Sequence, residues 1–486
     1  MKKLIYSVFF TTLMLGFQSC GKFDDMNVDP VNPTEVSPDL LFSGALRNGT
    51  LNWDIYQIGQ NLHADQFVQY FANVNPGFQT DQYVSNPGWI ATFWNTYYSS
   101  YIVNIQNVIR LTEADPSQSN KTNMARIWRV WLFQRATDYW GDIPYSEAGR
   151  GFDGLRTPKY DTQEFIYNDM LKELKEASQA LDNTKPIRFT ANDLIYNGDL
   201  NKWRRFANSL RLRIAMRLTK VAPQTARPIV EELMTENNFI ADNAGNAQMN
   251  TQPTGQFINR YPLAILFNFD ELRVSKTMVD LLKAKNDPRL AVYASPVEGV
   301  TPTTYEGLIN GLNAQQLGQP ANAKNLYSKM GNLIRAEGTP IDILTFSEVC
   351  FLKAEAVQRG WASGNAQDFY NAGITASFIK RNINNTTTIN NYLTQANVIY
   401  DNSLQRIIEQ KYLAIFPDGM EAWAEWRRTG FPQLLAIPNQ GETSGSVPRR
   451  VIYPQTEANL NSESYNSAIE RQGPNTMTTR IWWDRP

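Results

Sequence analysis

Apolar residues recur every three to four positions along most of this chain, and strict apolar/polar alternation is scarce, so the pattern predicts an all-α dominated fold. Helical periodicity runs from Asp39 to Ala72, Trp89 to Glu113, Lys121 to Trp140, Asp161 to Leu181 and Asn201 to Thr219, then from Leu344 to Arg359, Ala366 to Lys380 and Ser403 to Phe416. Ser37 followed by Pro38 opens the first of these, and Pro417, Asp418 and Gly419 stop the last. Asp161 with Glu164 three residues on reads as a near capping box ahead of the stripe Ile166, Met170, Leu174, Ala177, Leu181. Trp203, Phe206, Leu210, Ile214 and Leu218 form a second stripe, with Arg204, Arg205, Arg211, Arg213 and Arg217 on the remainder. That pattern predicts one buried side and one engaged in ion pairs.

The helical signal lapses twice. From 295 to 340 the chain loosens into Gly, Pro, Asn and Gln, which predicts a long loop excursion across a helical scaffold, and from Pro432 onward it is again irregular. The segments FSEVCFLKAEAVQRGW and NAQDFYNAGITASFIKRN read as one tetratricopeptide-like helical hairpin, with Ala354, Ala356, Ala372, Gly373 and Ala376 where helices must approach closely. No fixed period extends along the whole chain, so any repeats are degenerate.

The amino terminus carries a different message. Lys2 and Lys3 precede the apolar run Leu4 to Phe17, which is shorter than the roughly 20 apolar residues of a spanning helix, and Ser19 and Cys20 follow. Residues 1–19 therefore read as a lipoprotein signal peptide, with Phe17 where such sequences usually carry Leu, and Cys20 as the lipidated first residue of the mature chain. Two or three acyl chains anchor a protein durably where one does not. Residues 20–36, rich in Asn, Asp and Pro, read as a tether, and residues 37–486 as a single helical domain.

Composition narrows the chemistry. The net charge is -1 with no run of five or six like charges, which argues against a nucleic-acid partner. The single histidine, His63, disfavours His-dependent catalytic triads and multi-histidine metal sites. The two cysteines leave Cys350 as a buried, free, packing thiol once Cys20 is lipidated. No cofactor or metal is expected. In contrast, 12 Trp, 22 Tyr and 24 Phe beside many Asn and Gln supply stacking faces and neutral hydrogen-bonding groups, which suit sugars.

Six blocks, in order, bear a family resemblance: TDYWGDIPYSEAG (Thr137–Gly149), KWRRFANSLRLRIAMR (Lys202–Arg217), SEVCFLKAEAVQRG (Ser347–Gly360), GMEAWAEWRRTGFP (Gly419–Pro432), PRRVIYPQTEANLNSESYNSA (Pro448–Ala468) and RIWWD (Arg480–Asp484). Each resembles stretches of the SusD/RagB-type outer-membrane lipoproteins, and Lys22, Asp24 and Asp25, interrupted by Phe23, resemble that group's acidic surface-export signal. The resemblance implies a tetratricopeptide-like scaffold with a loop-rich ligand-binding region, displayed on the extracellular side of the outer membrane. It further implies capture of an oligosaccharide, or in some members a peptide, and delivery to a TonB-dependent, SusC-like transporter.

For the ligand face, the segment Asn73 to Trp94 places Phe78, Tyr83 and Trp89 among Gly, Pro and Asn residues such as Asn86, and in SusD-like proteins the corresponding loops commonly contribute contacts. Arg260 and Tyr261 form a second candidate in a polar, turn-rich stretch, whereas Trp128, Trp131, Trp203, Trp423 and Trp426 sit at helical spacing and read as packing residues. Two other classes compete: an all-helical glycoside hydrolase, for which no short motif supplies a carboxylate pair, and a structural helical-repeat lipoprotein that holds protein partners. The anchor is directly testable. Labelled palmitate is expected to enter the wild-type chain and not Cys20→Ala, and equal labelling of both would remove the lipid-anchor reading.

Overall fold

The computed structural model describes residues 36–255 and 258–486, so Cys20, the signal segment and all but the last tether residue lie outside the described residues. Helices build the frame: α1 (Pro38–Leu51), α2 (Pro87–Thr96), α3 (Val103–Thr112), α4 (Ser119–Trp140), α5 (Gln163–Ala180), α6 (Leu200–Arg217), α7 (Pro223–Glu236), α8 (Pro262–Asn268), α9 (Phe346–Gln358), α10 (Ala366–Lys380), α11 (Leu404–Ala414), α12 (Gly419–Thr429) and α13 (Ser462–Gln472). Helix α4 packs on α5 and α5 on α6, α6 reaches α9, and α9 pairs with α10 in the closest helix hairpin of the fold. In that hairpin a Cβ on Gly373 would lie 2.8 Å from the Phe351 ring, so only glycine admits this approach. The result is the tetratricopeptide-like all-α scaffold that the pattern predicts. Among the described residues no helix is long and apolar enough to cross a membrane.

Strands are few and short. Among the described residues they form three two-stranded antiparallel sheets: β1 (Phe71–Asn73) with β5 (Leu272–Val274), β2 (Ile143–Pro144) with β3 (Tyr160–Asp161), and β4 (Ala247–Met249) with β6 (Ile341–Leu344). The first pair matters most for function, because its register (Phe71↔Val274, Asn73↔Leu272) sets side by side two loops 200 residues apart in the chain.

Three elements depart from the sequence expectations. The single helix expected over Asp39 to Ala72 is broken at Asn52, whose backbone is extended, and again at His63, and it ends in β1. At the second break the cause is polar: Asn61 and Gln60 turn inward to hydrogen-bond the buried Asp65 carboxylate, which a regular amphipathic helix would leave unpartnered. At α5 the cap is Thr162, whose hydroxyl accepts from the Phe165 amide; Asp161 is in β3, where its carboxylate accepts from Ser146. The stretch after Pro432 is less irregular than expected, since it contains α13.

The two faces of α6 behave in opposite ways, and most of each is buried. Trp203, Phe206, Leu210, Ile214 and Leu218 enter the main core, as do Trp128, Trp131 and Trp423, while Trp426 is half-buried. On the arginine side Arg205 is exposed and Arg204 half-buried, but Arg211, Arg213 and Arg217 are buried. Arg213 meets Glu348 at 2.6 Å, Arg217 meets Glu421 at 2.7 Å and also Glu425, and Arg428 meets Glu355 at 2.6 Å and Glu425 at 2.7 Å. Lys411 lies 3.3 Å from each of Glu348, Glu421 and Glu425. Next to this lattice Arg427 is sandwiched between Trp423 and Trp483, its guanidinium donating to the Asp138 and Arg449 carbonyls, and burial without a close carboxylate pulls its pKa down to about 9.

Cys350 is buried, and burial pushes its thiol up to about 12, as an inert packing residue requires. His63 is also interior, edge-on to Phe67 and Tyr139, and desolvation lowers it to about 4. Removing one member of the lattice strands the others. Glu425→Ala leaves Arg217, Arg428 and Lys411 short of a counter-charge, and denaturant unfolding is expected to show a loss of about 3–5 kcal/mol, against under about 0.5 kcal/mol for the exposed Glu231→Ala.

Candidate ligand-binding face

The segment after β1 is shaped by its own side chains. The Asn73 amide donates to the Asn75 and Phe78 carbonyls, both at 2.6 Å, and its oxygen accepts from the Asn75 amide at 3.0 Å, closing a tight loop. The Asp81 carboxylate accepts from the backbone of Asn73 at 3.1 Å and of Gly311 at 3.2 Å, so it pins this loop to the 295–340 excursion. The loop and the start of α2 then bring Phe78 and Trp89 into an edge-to-face pair, 5.2 Å between centroids, with both rings half-buried. Asn86 caps α2 by accepting from the Trp89 amide at 3.1 Å, so its role is to fix that ring's position.

Across the β1–β5 ladder stands a second aromatic pair. Trp53, in the helical turn Trp53–Tyr56, and Phe269, just past the end of α8, are 5.9 Å apart and 39% and 48% exposed, which is unusual for rings of this size. Between the two pairs runs a polar relay: the Glu271 carboxylate accepts from Asn75 Nδ2 at 2.8 Å and from Gln57 Nε2 at 3.5 Å. Gln57 lies one turn after Trp53, at the start of a π-helical turn (Gln57–Asn61), and Glu271 lies two residues after Phe269, so both come with that aromatic pair, while Asn75 comes with the Phe78 loop. On the far flank Ser85 donates to Glu442, and Asn313, Gln316 and Asn439 hydrogen-bond one another, so the excursion and the carboxy-terminal part both border this face.

The sequence candidates divide. Phe78, Asn86 and Trp89 come together here. Tyr83 does not: it is 1% exposed, with a left-handed backbone that turns its ring inward against Phe67, so it is a packing residue that no ligand reaches. Arg260 and Tyr261 lie at the start of α8, at the opposite end from Phe269 and about 10 Å away along the axis. Arg260 is exposed and pairs with Glu337 at 3.5 Å, and Tyr261, 5% exposed, lines a separate narrow cleft with Arg135, Asp342, Arg381 and Asp418. Trp53, Phe269 and Glu271, which the structure adds to this face, were not among the sequence candidates. The one signal for them was an aromatic placed where an apolar run stops, as at Asn268-Phe269-Asp270-Glu271. Among the described residues no group of three or more His, Cys, Asp or Glu side chains is arranged to hold a metal ion.

A helical-repeat scaffold that presents an open aromatic and amide surface defines a ligand-binding protein. A family model, SusD-like 2, described as starch-binding and associating with the outer membrane, matches residues 30–454, and the chain belongs to that family. Its fold is similar to that of a chitin-binding protein (30% identity, 93% of this chain and 100% of the other, TM-score 0.83) and of a chitin-binding SusD homolog from Flavobacterium johnsoniae (27%, 92% and 98%, 0.83). It is also similar to a SusD homolog from Parabacteroides distasonis (26%, 93% and 98%, 0.84). Among curated proteins no relative is matched. Glycan binding and outer-membrane association are what these family and homologue descriptions carry.

The Asp81 pin has a measurable signature. Burial raises this carboxyl to about 7 despite the two backbone amides it accepts from. A carboxyl raised on folding holds more protons in the native state than in the unfolded chain between pH 4 and 7, so its contribution to stability falls as pH rises through that window. Asp65, also raised to about 7, acts in the same direction and His63 in the opposite one, so a difference measurement is needed. The melting temperature of Asp81→Asn minus that of wild type is expected to grow from pH 4 to 7 and level off above; a flat difference would refute the assignment.

Proposed function

We propose that this protein captures an oligosaccharide on the face built by Trp53, Phe269, Phe78 and Trp89 and delivers it to a TonB-dependent outer-membrane transporter, tethered to the membrane through lipid on Cys20. The observation that carries the reading is the relay of Glu271, Asn75 and Gln57 between two aromatic pairs: rings take the C–H faces of sugar units while neutral amides and one carboxylate orient the hydroxyls. The chitin-binding relatives favour a glycan over a peptide.

Affinity follows from the geometry. Each aromatic contact adds about 0.5–1.5 kcal/mol beyond area burial, and an open face buries only part of a ligand. Two platforms and a few hydrogen bonds therefore support micromolar or weaker capture, which suits a protein that must release its cargo. Hydrolysis is disfavoured by the same chemistry, since glycosidic cleavage uses a pair of carboxyl groups flanking the bond, whereas the relay pairs Glu271 with amides.

Trp53→Ala and Trp89→Ala are each expected to weaken oligosaccharide binding about tenfold in calorimetric titration, with no new reducing ends released by any form and melting curves preserved for the exposed Trp53 position. Binding unaffected by both substitutions would favour the structural-lipoprotein reading. Recovery of a β-barrel transporter with the tagged full chain from detergent-solubilised outer membranes tests the delivery partner.

A further inference from the structure

Glu271 has an unusual electrostatic setting. Each of its carboxylate oxygens accepts one hydrogen bond from an uncharged amide, and an ionised carboxylate offers about four acceptor positions, so both oxygens keep capacity on the half-buried, open side of the relay. Among the described residues it makes no ion pair. Basic side chains of this region gather instead on its neighbour: Arg273, Lys324 and Lys329 lie 2.9, 2.7 and 3.4 Å from Asp270. Asp54, exposed beside Trp53, and Glu442, held by Ser85, add further negative charge near the face.

We infer that Glu271 is a specificity-determining residue that selects uncharged sugar units and rejects uronate-bearing or sulfated glycans. The inference rests on the glycan-capture reading above. Adjacent hydroxyls, or an acetamido N–H with a neighbouring hydroxyl, donate to the two free acceptor positions, and such charge-assisted hydrogen bonds are short and about twice as strong as neutral ones. A carboxylate or sulfate on the same sugar would face the Glu271 carboxylate, which has no ion-pair partner of its own, and like-charge contact acts against the wrong ligand as the hydrogen bonds act for the right one.

The alternative role for Glu271 is a mere bracket that holds the Asn75 loop. Glu271→Gln separates the two, because glutamine still accepts from Asn75 but carries no charge. The probe is an array of immobilised neutral, uronate-bearing and sulfated oligosaccharides, read with the full chain and with Glu271→Gln, Trp53→Ala and Trp89→Ala. Wild type is expected to bind neutral glycans alone, and Glu271→Gln to bind them about tenfold more weakly while the preference for neutral over acidic partners shrinks at least tenfold. Acidic glycans bound by wild type, or a preference unchanged in Glu271→Gln, would overturn the inference. Neutral binding indifferent to both tryptophan substitutions would instead overturn the placement of the site on this face, a failure recognisable by the tryptophan variants alone.

Discussion

Four basic side chains, Arg213, Arg217, Lys411 and Arg428, share the interior with four glutamates, Glu348, Glu355, Glu421 and Glu425, and the rest of the fold is arranged around keeping them matched. Such a cluster contributes little net stability compared with an apolar core of the same volume, because desolvation offsets most of the attraction. Its effect is on geometry. The charges come from α6, α9, α11 and α12, so each of those helices has one rotation and one axial position at which every charge is met. The apolar stripe of α6 could tolerate sliding; the arginine face cannot.

Much of this was legible in the residues and some was not. Helical periodicity located the frame, including α10 with both ends correct, because long amphipathic segments carry a signal that tertiary context rarely overrides. The arginine stripe of α6 was read as paired, but the complete burial of Arg213 and Arg217 was not, since the glutamates that neutralise these two lie about 130 to 210 positions along the chain. The break at His63 was missed for a related reason: Gln60, Asn61 and Asp65 look like a polar helix face until one knows that they satisfy each other inside the protein.

The ligand face shows the same limit more sharply. Phe78 and Trp89, candidates drawn from an aromatic-rich loop with Gly, Pro and Asn, pair on the proposed face. Tyr83, in the same loop, was indistinguishable from them in sequence, and a left-handed backbone at that one residue sends its ring inward. Trp53 and Phe269 belong to segments that look like ordinary helix and helix end, and only the pairing of β1 with β5 makes them neighbours of the loop. Aromatic composition announces a class of ligand, but chain topology decides which rings meet it.

The three-residue ladder between β1 and β5 therefore acts as a ruler. Asn75 and Phe78 follow β1 while Phe269 and Glu271 precede β5, so the offset between these two loops is set by main-chain pairing rather than by side-chain length. Because strand side chains alternate, a slip of one residue would turn a strand's contribution to the opposite side, while an insertion beyond the ladder would alter the loops without disturbing the charged interior. The architecture separates an incompressible gauge from an interchangeable recognition surface, and diversification of ligand range within such a scaffold is then a matter of loop exchange at constant spacing.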